Sequence, residues 1–287
     1  MNILQRHHLA ISLQSAIQGI NWPANAQEPD YVVTLVNVLP GYIKNSLTQH
    51  LLGRSIASGS AFIHQKPLAH FLNMPGMSDP ELGDLLIVCR EKRYSGAVYN
   101  AMLLQAKRTN DPFQTSIPND HQYVLYTEWP EFEYKRAGAL NGKRRSVLPK
   151  TITQGAQYLL IAEAGPIELF TATVDRPLNG SKLFAWTLAA ILSFDAGRTF
   201  QATNPHDDWS QMILDLLRLT ATSVFTHRNS GFVGTKRWNG DNAFDYILGL
   251  GAQEEEKQKG QQVLGEDESG RFSGISVVCV DLGETQR

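Results

Sequence analysis

Hydrophobic and polar positions along this chain follow two periods, and the changes between them mark the expected elements. From residue 8 to residue 20 the apolar residues return at helical spacing, and the run ends near Gly19, which predicts an opening helix. A loop rich in Pro, Asn and Asp follows to residue 30. Tyr31–Val38 (YVVTLVNV) is rich in β-branched residues and predicts a strand stopped by Pro40-Gly41. A helix is expected from Lys44 to Ala57, after which Pro67, Pro75 and Pro80 punctuate a loop-rich passage. Glu81–Glu91 (ELGDLLIVCRE) then predicts a strand with a buried centre. The segment KRYSG supplies turn chemistry, and Val98–Arg108 (VYNAMLLQAKR) returns as a second strand, so a β-hairpin is the simplest reading. Asn119-Asp120 suits the start of a helix that Pro130 must end.

Further strands are expected within 158–174, and helices around 181–195 and 207–226. The acidic, polar stretch 253–270 predicts a mobile loop, and Ile275–Leu282 a last strand that must return to a sheet. The sum is an α/β protein: a mixed sheet flanked by helices, more helical in its C-terminal portion. Residues 1–178 would form the α/β core and 179–287 a helical elaboration, or the whole one continuous domain. No internal repeat is present. Trp186, Phe194, Met212, Leu216 and Leu217 take positions that suit either a core or a subunit interface.

Composition narrows the partners. A formal net charge of -2 excludes a general polycation, so any hold on nucleic acid must come from local patches. The two cysteines, Cys89 and Cys279, each lie in an apolar run, which suggests buried thiols in a reducing compartment. The N-terminal stretch does not read as a signal peptide, and Leu183–Phe194 is too short to span a bilayer. A cytoplasmic location without membrane attachment is therefore expected. His7, His8, His206 and His227 lack metal-ligand spacing, and no GxSxG occurs, so neither a zinc enzyme nor a Ser-His-Asp hydrolase is indicated.

One constellation carries chemistry. Hydrolysis of a phosphodiester requires neutralised phosphate charge, an activated water and a stabilised leaving oxygen; Mg²⁺ held by a few oxygens supplies much of this. Asp84 lies in the first strand of the expected hairpin, and Gln105 and Lys107 stand two apart in the second, on one face. Ala106, between them, would leave its backbone carbonyl as a metal ligand. A lysine in such a place can orient water and stabilise developing negative charge. Residues 135–150 hold Lys135, Arg136, Lys143, Arg144, Arg145 and Lys150 without an acid. That run reads equally as a phosphate-gripping segment or as a solvated loop. Trp129, Phe132 and Tyr134 read as core closure before base stacking. Gly138–Arg144 is one residue short of a P-loop and lacks its Ser/Thr.

Asp84 followed by the strand LLQAKR resembles the signature of the PD-(D/E)XK nucleases, in the Q-X-K form of Mrr-like restriction enzymes. Gln122 and Tyr126 are similar to the Q-x-x-x-Y helix of RecB-like and Cas4-like members. The resemblance covers roughly residues 44–128. It implies a restriction-endonuclease-like core and a Mg²⁺- or Mn²⁺-dependent nuclease, cutting DNA before RNA, by analogy in restriction or defence against phage. It makes Asp84, Gln105 and the Ala106 carbonyl the metal ligands and gives water activation to Lys107. Gln122 and Tyr126, with Lys143, Arg144 and Arg145, would contact substrate or brace the site. Two departures stand out. Gln105 replaces the usual acid, and the family's upstream helical glutamate has only Gln49 or Glu81 as stand-ins. The alternative is therefore an inactive nuclease-fold subunit that binds or scaffolds within a larger complex. An enzyme that cuts DNA in its own cell also implies a regulatory protein, an activating ligand or a homo-oligomer.

Overall fold

The hairpin is the backbone of the architecture. In the computed structural model, which describes residues 1–63, 67–117, 120–150, 155–222, 242–249 and 275–285, its strands are β3 (Leu85–Arg93) and β4 (Gly96–Thr109). They pair antiparallel from Leu85↔Leu104 to Arg93↔Gly96, leaving Tyr94 and Ser95 as the tight turn. The continuous apolar run Leu85–Cys89 is buried, as expected of a strand covered on both faces.

Two helices precede the hairpin, α1 (Ile3–Gln18) and α2 (Glu28–His50), followed by β1 (Arg54–Ala61) and the short β2 (Leu68–Phe71). After the hairpin come α3 (Asp120–Glu128), β5 (Phe132–Lys135), β6 (Arg144–Arg145), β7 (Ala156–Ala162) and β8 (Glu168–Ala172). The remainder supplies β9 (Lys182–Leu183), α4 (Phe184–Leu192), β10 (Arg198–Phe200), α5 (Asp208–Thr222), a helical turn α6 over 243–249, and β11 (Ser276–Thr285). The large sheet is eight-stranded and mixed, in the order β1-β11-β3-β4-β7-β8-β9 with β10 beside β4; β2, β5 and β6 make a small antiparallel sheet. Pairing is parallel at β11/β3 and β4/β7. The strand expected at 275–282 therefore lies inside the sheet, between β1 and β3, and residues beyond 178 contribute to the same sheet as those before.

Alternation along β4 divides the core. Met102, Leu104 and Ala106 face α1, α2 and α4, packing with Leu13, Leu39 and Leu188. Ala101 and Leu103 face the other way, with Tyr126, Trp129, Phe132, Tyr134 and Trp209 of α3, α5 and the small sheet. The aromatic segment 127–136 thus closes the core. Cys89 and Cys279 lie on opposite faces of the sheet, both buried, and burial pushes each thiol well above its ordinary pKa. Among the described residues, no helix is long and apolar enough to cross a membrane.

The strand expected at Tyr31–Val38 is instead the first half of α2, and the helix expected at 44–57 is its second half, with β1 already under way at Arg54. The helical period runs unbroken through Tyr31, Leu35, Leu39, Ile43 and Leu47, all buried. Pro40 does not stop it. A mid-helix proline strands the carbonyl four residues back, and the Ser60 hydroxyl supplies the missing donor to the Val36 carbonyl at 2.8 Å. Ser58 likewise donates to the Pro40 carbonyl at 2.7 Å. The strand beneath the helix repairs the break that the sequence predicts. The loop expected at 253–270, the cap at Asn119 and the helix beyond Thr222 fall outside the described residues.

Gly155, at the mouth of β7, has φ +92°, and a Cβ there would meet the Trp209 ring at 2.6 Å. Gly155→Ala therefore combines left-handed strain with overpacking, and is expected to cost about 3 kcal/mol, read as a lowered denaturant midpoint at unchanged m-value.

Candidate active site

The two hairpin strands are unequal, and the site occupies the difference. β3 begins at Leu85, opposite Leu104, and the Asp84 N–H makes the last ladder bond, to the Leu104 carbonyl at 2.9 Å. β4 runs on to Thr109, held by β7 on its other side, where Gln105 lies beside Tyr158 and Lys107 beside Leu160. The Asp84 carboxylate turns over the edge of β4 that β3 leaves unpaired beyond Leu104. Its Oδ2 accepts the Ala106 N–H at 2.7 Å and a short bond from Gln105 Nε2. Because a strand residue presents its N–H and C=O to the same neighbour, the Ala106 carbonyl lies on the Asp84 side. Asp84, Gln105 and Ala106 are all buried.

α3 packs over the residues just before Asp84. The Tyr126 hydroxyl donates to the Leu82 carbonyl at 2.9 Å, and its ring meets Tyr158 edge-on at 5.8 Å between centroids. Gly83 makes room: a Cβ there would lie 3.1 Å from the Tyr126 oxygen. Burial pushes the Tyr126 hydroxyl well above its ordinary pKa, helped by the nearby Tyr158, Asp84 and Glu81. It therefore stays a hydrogen-bond donor at neutral pH and braces the chain just before Asp84. Gln105 Oε1 on β4, Gln122 Nε2 on α3 and the Tyr158 hydroxyl on β7 are each buried without a hydrogen-bond partner among the described residues. Leaving a buried polar atom unpaired is costly, so each of them would receive a polar ligand or a water favourably.

Lys107 reaches the end of the sheet, where its ammonium lies 3.3 Å from Glu28. Glu28 opens α2, a helix start signalled by the acids Glu28 and Asp30 around Pro29. Beside it Arg108 grips Glu163 through two bonds of 2.8 and 2.9 Å and Gln27 at 3.0 Å. Tyr31 donates to Glu163 at 2.7 Å. The Arg108 guanidinium holds the Glu163 carboxyl below its usual range, while burial, with Glu163 adding to it, pushes the Tyr31 hydroxyl up to about 12. This clamp fixes the start of α2 against the ends of β4 and β7. Glu28 is the neighbour of Lys107 that sequence reading missed, because the strand expected at Tyr31 hid the helix that begins before it.

The other expected site residues divide. Gln49 is exposed near the far end of α2, about 30 Å from Glu28 at the helical rise, so it does not reach the site. Glu81 stays close, bridging to Leu68 and acting on Tyr126. Lys143, Arg144 and Arg145 belong to the small-sheet region. Arg145 is buried, and its guanidinium is committed to Asp215, through a 3.0 Å bond from Nε and a shorter one from Nη2. Lys143 lies 3.3 Å from the same carboxylate, and Tyr134 donates to it at 3.2 Å. Arg145 thus braces α5 against the small sheet rather than facing substrate; Arg144 is exposed.

The oxygen-bearing groups at the end of β4 are one carboxylate (Asp84), the Gln105 amide, whose nitrogen faces that carboxylate, and the Ala106 carbonyl. Among the described residues no group of three or more His, Cys, Asp or Glu gathers at one point. That set suits Mg²⁺, which keeps several waters and is commonly held by one or two carboxylates with substrate phosphates. The unpartnered Gln105 Oε1 is the feature that fits it. No family model, no curated protein and no solved structure matches this chain.

Proposed function

We propose that this protein is a metal-dependent nuclease of restriction-endonuclease-like build, hydrolysing phosphodiester bonds in DNA before RNA. The observation that carries the reading is the contact of Asp84 with Gln105 and Ala106 at the open end of a hairpin whose next residue on the same face is Lys107. Glu28 strengthens it by giving the resemblance its upstream helical acid, on α2 and beside the lysine. Mg²⁺ or Mn²⁺, held by Asp84, Gln105 and the Ala106 carbonyl, would draw charge from the scissile phosphate. Lys107 orients the attacking water and stabilises the negative charge that develops on the phosphoryl oxygens. Glu28 holds the ammonium at its place, while Gln122 and Tyr158 offer hydrogen-bonding groups to the substrate backbone. A cytoplasmic role in restriction or phage defence follows by analogy with the resembled family.

A second reading rests on a specific observation. The Gln105 amide donates to Asp84, where an acid would repel it, and a carboxylate so satisfied suits a nuclease-fold subunit that binds without cutting. The deciding experiment is cleavage of plasmid DNA, single-stranded DNA and RNA with Mg²⁺ or Mn²⁺, comparing wild type with Asp84→Ala and Lys107→Ala. Metal-dependent cutting reduced at least about 100-fold by each substitution supports the enzyme. Cutting that survives both removes this site, and no cutting by wild type favours the binding subunit.

A further inference from the structure

Lys107 and the acid beside it come from opposite sides of the large sheet. Alternation along β4 sets Lys107 with Ala101 and Leu103, and Arg108 with Met102, Leu104 and Ala106 on the side covered by α2. Their neighbours on β7 agree: Leu160, opposite Lys107, packs on the first side and Ile161, opposite Arg108, on the second. The Lys107 ammonium therefore comes round the end of the sheet to meet Glu28 at 3.3 Å. That pair exists only while the first turn of α2 stands at one level against the strand ends. A slide of the helix by one residue moves Glu28 about 1.5 Å. Such a slide can carry a pair at 3.3 Å past the roughly 4 Å limit of an ion pair.

Arg108 and Glu163 are placed to set that level. The Glu163 N–H donates to the Thr109 carbonyl at 3.0 Å, which fixes the acid at the end of β4. Both of its carboxylate oxygens accept from Arg108, and Tyr31 of α2 donates to Oε1 at 2.7 Å. The Arg108 guanidinium also donates to Gln27 Oε1 at 3.0 Å. Gln27 directly precedes Glu28, and Tyr31 follows it by three residues, with its ring 5.5 Å from that of Trp22 between centroids. The strand ends thus grip α2 on either side of Glu28, and the helix start cannot slide without stretching or breaking one of these bonds.

We propose that Arg108 and Glu163 are positioning residues, which act through the start of α2 to keep Glu28 beside Lys107 and so hold the lysine in place for the proposed hydrolysis. What Lys107 does there rests on the nuclease reading; the coupling between the two pairs does not. The test is cross-linking with a water-soluble carbodiimide, which joins a carboxylate to an amine only where they touch, read by peptide mass spectrometry. Wild type should give a Glu28–Lys107 cross-link, absent from Glu28→Gln. Arg108→Gln and Glu163→Gln should each lower its yield about tenfold, as intramolecular reactions fall when their groups are misplaced. The Lys92–Asp281 pair, 3.6 Å apart at the other end of the hairpin, should keep its yield and show the fold intact. Should Arg108→Gln lose that control as well, Glu163→Gln, which keeps an oxygen for Tyr31, decides. No Glu28–Lys107 cross-link in wild type, or an unchanged yield in a folded variant, overturns the assignment. Once wild-type cleavage is established, Arg108→Gln should lower kcat about tenfold at unchanged KM; an unchanged kcat overturns it too. If Lys107→Ala abolishes cutting while both clamp variants cross-link like wild type, the positioning falls and the nuclease stands. If the clamp variants lose the cross-link and wild type cuts nothing, the coupling stands and the enzyme falls.

Discussion

Asp215→Ala is expected to lower the melting temperature by roughly 10 °C. Asp215 and Arg145 have side chains 3% and 5% exposed, and Lys143 and Tyr134 converge on the same carboxylate. Removing the acid leaves a guanidinium buried with its principal counter-charge gone, a change that costs about 3–5 kcal/mol. In a large domain each kcal/mol moves the midpoint by about 2–4 °C. The pair itself need not be a net stabiliser, because taking both charges out of water is costly. The double variant Arg145→Met, Asp215→Leu should therefore recover much of the loss, and recovery measured in a thermal melt separates the cost of an orphaned charge from the worth of the bridge. If Asp215→Ala melts like wild type, Arg145 finds water or phosphate instead, and its assignment as a brace is wrong. Exposed Arg144→Ala should leave the midpoint within about 0.5 kcal/mol of wild type.

Gln105→Glu tests the site's least orthodox residue, and its effect should reverse with metal. In the wild type the amide donates to Asp84. A glutamate there sets two carboxylates against each other in a place 3% exposed, and one of them must hold a proton. The raised carboxyl binds more protons in the folded state than in the unfolded state. Stability is therefore close to wild type below the unfolded value of about 4.3 and falls as pH rises through the raised folded value. At neutral pH the expected loss is about 2–3 kcal/mol. A divalent cation neutralises the pair, and at a hundred times its dissociation constant contributes about 2.7 kcal/mol. The variant should thus melt lower than wild type in EDTA and show the larger upward shift with millimolar Mg²⁺. A variant that metal does not stabilise shows that these oxygens do not converge on a cation, and the binding-subunit reading gains.

What the sequence discloses here is local. The hairpin is legible because a continuous apolar run, a turn and a second apolar run follow one another, and the short turn at Tyr94-Ser95 sets Leu85 opposite Leu104. That register alone brings Asp84 to Gln105 and Ala106, so the heart of the site is readable in advance. Tyr126 is legible as a brace through its spacing from Gln122, although its target, the Leu82 carbonyl, is not. Glu28 was hidden by a helix whose β-branched first half imitates a strand and whose proline imitates a stop. The helix survives through Ser60, a residue of another element, and propensity carries no record of that. Arg145 reads equally as a phosphate ligand or as part of a solvated loop until its buried acid appears 70 residues later. Partnerships across such distances have no signature in a window of sequence.

The placement of β11 bears on how the molecule is made. Arg90 on β3 and Asp281 on β11 are 191 residues apart in the chain and 2.6 Å apart in the fold. While the chain emerges from the ribosome, β3 must wait with one flank unsatisfied until residues 276–285 arrive, and β1 waits with it. Contacts of such long range are slow to form, and an open flank invites pairing with another nascent chain. The hairpin that bears Asp84 and Lys107 thus gains its final rigidity only once residues 276–285 have been made and have docked beside β3.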